Sequence, residues 1–275
     1  MRAGLMRSLG GVAIASVIAV GAVMALGAVK AEAVTIPDAV YYNAAVGELP
    51  NGTKLSQGGY QSGGVDLSGD TPYGHYSYST GNNYSTPYIS ASAFGGGGSQ
   101  GSVGSDLTYY IMFSGAAGDI SVHVNAAGAA NASGPNVLNG YGHNEASASV
   151  WANRYFDNGA LGPDIFKGVA NSNYRGSPDT GLQTFSIDQS FTFAANVVYQ
   201  VMMQAYASST EDHLSTAWVD PVFTAPAGYT LLISGGIGNG VVATTPIPPA
   251  LPLFAAALGG LGLLGWRRKQ KAAAV

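Results

Sequence analysis

Along the chain, apolar and polar residues alternate with a period of two in short runs broken by turn residues, the pattern of half-buried β-strands. Leu107, Tyr109, Ile111 and Phe113 form one apolar face, and Gly115 to Asp119 turns the chain. Ile120, Val122 and Val124 then face inward, with Ser121 and His123 outward. Phe185, Ile187, Phe191 and Phe193 alternate with Ser186, Asp188, Ser190 and Thr192. After Ala194-Ala195-Asn196, Val197, Tyr199, Val201 and Met203 alternate with Gln200, Gln204 and their neighbours. Thr216 to Phe223 and Tyr229 to Ile233 complete the set, interrupted by Pro221 and by Pro226-Ala227-Gly228. Long helical periodicity is missing. The expectation is an all-β body, an antiparallel β-sandwich of jelly-roll-like form. Proline has no N–H to give a ladder, so Pro221 belongs at a strand edge or bulge.

The two ends break this pattern. Arg2 and Arg7 precede an uncharged stretch from Ser8 to Val29, which Lys30 and Ala31-Glu32-Ala33 close. A positive start, an apolar run and a small-residue A-x-A site read as a secretory signal over 1–33, cut after Ala33. The run, at roughly 33 Å as a helix, is also long enough to span a bilayer uncut, though its Ala and Gly content weakens that reading. At the other end Thr244 to Pro249 is a stiff proline spacer. Ala250 to Trp266 is apolar and uncharged, and Arg267, Arg268, Lys269 and Lys271 follow. These features predict a transmembrane helix over 250–266, with Trp266 at the interface and the basic cluster in the cytoplasm. The body, 34–244, then lies beyond the inner membrane.

The segment 245–275 resembles the VPLPA variety of the PEP-CTERM sorting domain. The residues that carry the resemblance are Pro246, Ile247, Pro248, Pro249, Ala250, Leu251 and Pro252, then the Gly/Leu/Ala run, then Trp266, Arg267, Arg268 and Lys269. Thr245, Ile247 and Pro249 depart from the usual Val-Pro-Leu-Pro-Ala opening. The resemblance implies recognition and processing by an exosortase in a Gram-negative bacterium that makes exopolysaccharide. Its implied partners are the exosortase, the export machinery, the inner membrane and the extracellular polysaccharide. It speaks to address, not activity. More loosely, Leu107 to Val124, Phe185 to Val201, Trp218 to Phe223 and Tyr229 to Ser234 resemble a recurring type of exported PEP-CTERM protein, which implies a β-sandwich body of no assigned activity.

Charge narrows the function classes. Four basic residues (Lys54, Arg154, Lys167, Arg175) stand against fourteen acids in the body, a net of −10, although the whole chain reads −4. Such a body lacks the basic footprint that phosphate backbones require, which argues against nucleic-acid binding. Without cysteine the chain has no disulfides, thiol catalysis or thiolate metal site. The segment 55–105 is rich in Gly, Ser and Tyr, with Gly95 to Gly98 in a row, and reads as flexible, either a long loop or partly disordered.

Candidate chemistry is sparse. Gly97-Gly98-Ser99-Gln100-Gly101 matches G-x-S-x-G in form, but no helix start follows it, so the nucleophile reading is weak. His75, His123, His143 and His213 show no metal-site spacing. Asp66, Asp70, Asp157 and Asp164 could offer oxygens to a structural Ca²⁺, the one cofactor the sequence leaves open. Tyr73, Tyr76, Tyr78, Tyr84 and Tyr88 fall among small polar residues. Flat rings with polar tips suit a ligand surface, but Tyr76 and Tyr78 alternate as in a strand, and the favoured reading is that these residues pack on the body. The sequence therefore reads as a non-enzymatic surface or matrix protein. A carbohydrate-binding module using the tyrosine-rich segment is the alternative, and a secreted hydrolase comes after it.

Overall fold

The structure is a computed structural model that describes residues 35–72, 74–134, 144–173, 180–210 and 212–239. The chain divides into two compact units, Met1–Thr35 and Ile36–Val275. The signal segment 1–33 and the sorting segment 245–275, including the helix expected over 250–266, lie outside the described residues. Among the described residues no helix is long and apolar enough to cross a membrane.

The second unit contains β1 (Val40–Glu48), β2 (Lys54–Gly59), β3 (Asp66–Thr71), β4 (Gly74–Asn83), β5 (Tyr88–Phe94), β6 (Gln100–Ser114) and β7 (Asp119–Ala132). After these come β8 (Glu145–Tyr155), β9 (Leu161–Ser172), β10 (Gly181–Ala194), β11 (Val198–Thr210), β12 (Leu214–Thr224) and β13 (Thr230–Ile233). They build two antiparallel sheets packed as a sandwich. The first sheet runs β2-β1-β6-β11-β8-β9, with β13 also pairing β6, and the second runs β10-β7-β12-β5-β4-β3. From β5 to β12 the strands pair in a nested order: β5 with β12, β6 with β11, β7 with β10 and β8 with β9. Successive pairs fall in alternate sheets.

The alternation in sequence becomes the core. Leu107, Tyr109, Ile111 and Phe113 are fully buried, as are Val122, Val124, Phe193, Val201 and Val219. The expected turns after Ser114 and after Ala194 fall where the strands end. Pro221 sits in β12, a strand with neighbours on both sides, yet its pairing with β5 stops at Val219. Phe223 turns its N–H and C=O away from β7, toward Asn239. Pro221, two residues earlier, shares that direction, so its missing donor faces the side that β5 has already left.

The segment 55–105 is not a loop. It holds β3, β4 and β5, most of β2 and the start of β6. Its small residues make room for rings. Tyr78 reaches from β4 across the core against Gly47 and Gly101 of the first sheet, where an added Cβ would lie 3.0 and 2.5 Å from its ring. A glycine-rich stretch read from composition alone looks flexible. Here the glycines are the complements of tyrosines, and close packing fixes both.

Candidate functional site

Directly opposed residues in an antiparallel sheet are side-chain neighbours on one face. On the outer face of the first sheet, one such row is Tyr42 (β1), Asp106 (β6), Gln204 (β11) and Ser149 (β8). The next row is Val40, Thr108, Met202 and Trp151, and Lys167 of β9 stands opposite Trp151. On the other side of Asp106 the row is Ala44, Gly104, Tyr206 and Ser147. Tyr60, just past β2, stacks edge-on to Tyr42 with centroids 5.3 Å apart.

The outward side chains of β6 near this point (Gly104, Asp106, Thr108) are short, while those of β1 and β11 on either side include Tyr42, Met202 and Tyr206. A groove results. One part, of about 430 Å³, is lined by Tyr42, Tyr60, Asp106, Trp151 and Gln204 among others. A second part, of about 220 Å³, continues past Ala44, Gly104 and Tyr206. Tyr42 is 38% and Tyr60 84% exposed, so large rings meet solvent at this face. Lys167 holds its ammonium 5.9 Å from the indole centroid of Trp151.

Burial pushes the Asp106 carboxyl above the ordinary carboxylate value, and the hydrogen bond from Gln204 offsets part of that rise. Tyr206 is raised too, first by burial and then by Glu145, to which it is also hydrogen-bonded. The site thus offers exposed aromatic faces beside a carboxylate and an amide already aligned with each other. Rings of this kind cover apolar C–H faces of a flat ligand, and the Asp106–Gln204 pair can exchange hydrogen bonds with hydroxyl groups.

The tyrosines singled out from the sequence do not form one surface. Tyr76 and Tyr78 are buried in the core. Tyr84 packs on Tyr41, centroids 4.6 Å apart, and Tyr88 stacks on Trp218 at 6.4 Å on the second sheet. Tyr73 lies outside the described residues. Ser99 is buried and donates its hydroxyl to Gly96 O at 2.7 Å, and strand β6 follows it in place of a helix. That geometry lacks the exposed serine of a nucleophile elbow.

His75 and His123 make exposed pairs with Asp70 and Asp188 at 3.0 and 2.9 Å, of the kind that contributes little to stability. Asp164 accepts from the Asn153 amide at 2.7 Å. Among the described residues no group of three or more His, Cys, Asp or Glu could hold a metal ion. His143 is outside the described residues.

Sequence reasoning missed Tyr42, Tyr60, Asp106, Trp151, Gln204 and Tyr206 as a set. One signal was present. In Val40-Tyr41-Tyr42-Asn43-Ala44-Ala45-Val46 the outward positions Val40, Tyr42, Ala44 and Val46 are all apolar or aromatic, and a strand whose outer face is merely solvated does not need Val40, Tyr42 and Val46 there.

No family model matches the chain, and no curated protein does. Among solved structures, one chain from a structure of infectious bursal disease virus, Gt strain, aligns at 12% identity over 82% of this chain and 68% of that chain. Its TM-score is 0.16, at which the likeness carries no argument.

Proposed function

We propose that this is an exported, non-catalytic protein of the extracellular matrix that holds polysaccharide in the groove on its first sheet. The observation that carries the reading is the placement of three aromatic rings lining the groove, Tyr42, Tyr60 and Trp151, around the Asp106–Gln204 pair. Sugars present apolar C–H faces ringed by hydroxyls, and this surface offers both complements. The nested strand order supports assigning β5 to β12 as a jelly roll, an architecture that also serves lectin domains. The signal-like start and the PEP-CTERM-like tail support export, transient anchoring at the inner membrane and release by an exosortase to the surface of a Gram-negative cell.

Affinity electrophoresis through gels containing the host's exopolysaccharide tests the reading. The wild-type protein is expected to be retarded. Trp151→Ala and Tyr42→Ala, both surface changes, should each weaken retention about tenfold, the loss of roughly one stacking contact. Equal mobility with and without polysaccharide would refute the proposal.

A further inference from the structure

The groove does not end at Tyr206. Val46 and Ser102, which line its lower part, also line a third depression of about 550 Å³, with Lys54, Leu55 and Thr210 on its walls. The upper two parts share Tyr42, Asp106 and Gln204. All three are one trough lying along β6, from Thr108 to Gln100. Eight steps of extended backbone cover roughly 26 Å, the length of about five hexose rings in an extended chain. Gly104 is mid-trough. A Cβ added there would find no heavy atom closer than 3.9 Å, so the space above it is open. Charge along the trough is acidic on balance: Asp106 and Glu48 line it and Glu145 is held on Tyr206, while the cations are Lys54 and, over Trp151, Lys167.

We infer that the trough takes an internal stretch of a neutral, extended polysaccharide about five units long, and that it disfavours anionic chains. A pocket for a chain end would be closed at one side, whereas this trough continues past Asp106 in both directions. Acidic groups along its length repel carboxylated or sulfated sugars. The inference rests on the sugar-binding reading above and specifies its ligand.

The test is calorimetric titration with oligosaccharides of one to eight units, cut from the host's exopolysaccharide by partial acid hydrolysis and separated into neutral and anionic pools. Affinity for the neutral pool should rise at least tenfold between two and five units and then level. Gly104→Leu should bring the five-unit chain down to the affinity of the two-unit chain. Ala44→Leu, on the adjoining wall, gives the same readout should Gly104→Leu lower the melting temperature. Affinity that is independent of length, indifference to both substitutions, or preference for the anionic pool would overturn the inference and leave the sugar-binding reading standing. Binding of no pool at any length would overturn both. Self-association abolished by Gly104→Leu would place a second copy in the trough and overturn the inference as well.

Discussion

The ring of Phe185 lies across two backbone positions, Gly128 and Gly168, where an added Cβ would fall 2.3 and 2.5 Å from its carbon atoms. Two strands have thus given up their side chains to seat one phenylalanine, and an interior this dense has no slack to absorb a methyl group. Gly128→Ala is expected to destabilise the fold by about 2 kcal/mol in urea melts. Adding Phe185→Leu to that variant should recover part of the loss.

Asp106 gives a second test at this scale. Its carboxyl sits above its ordinary 3.8 because it is buried. A group that holds its proton more tightly folded than unfolded contributes stability that is full below the unfolded value. That contribution is lost as pH rises through the folded value. Asp106→Asn removes this loss. In denaturant melts at a series of pH values, its advantage over wild type should grow upward from pH 3.8. It should level off once the wild-type carboxyl has ionised.

At the scale of elements, β12 and β13 depend on side chains that stand in for a missing strand. Asn239 accepts from Phe223 N at 2.9 Å and donates to Phe223 O at 2.6 Å, completing β12 where β5 has stopped. Ser234 accepts from Tyr110 N at 2.8 Å and donates to Pro37 O at 2.7 Å, closing the gap on β6 between β13 and the approach to β1. Asn239→Ala strands two buried backbone groups and should cost about 2–3 kcal/mol in urea melts. Faster hydrogen exchange at the Phe223 amide should accompany it.

The long alternating runs that became β6, β7, β10, β11 and β12 were legible in the sequence, since each carries a stretch in which large apolar residues recur at every second position. β3 to β5 were not, because their glycines and serines acquire meaning only from tyrosines packed against them. β8 presents mainly alanines to the core (Ala146, Ala148, Ala152), too small to announce a strand. The candidate site was hidden for another reason. Tyr42 and Trp151 share a groove only because β6 and β11 lie between their strands, and no local pattern reports that order.

For the whole molecule, the nested order means that β5 can find β12 only after nearly all the intervening chain is in place. Closure entropy must be met before such distant pairs form, so folding should be slow. Stopped-flow refolding is expected to show a main phase of about one second or longer. A millisecond main phase would mean that the sheets assemble by another route.

The Ser234–Pro37 hydrogen bond has a topological consequence. It ties the approach to the first strand to the residue just past the last, so the polypeptide of the body is nearly a ring. A circular permutant joining residues 36 and 239 through a short linker, and opened between Ala116 and Ala117 in an exposed turn, would keep every strand pair. Its melting temperature should stay within a few degrees of the original.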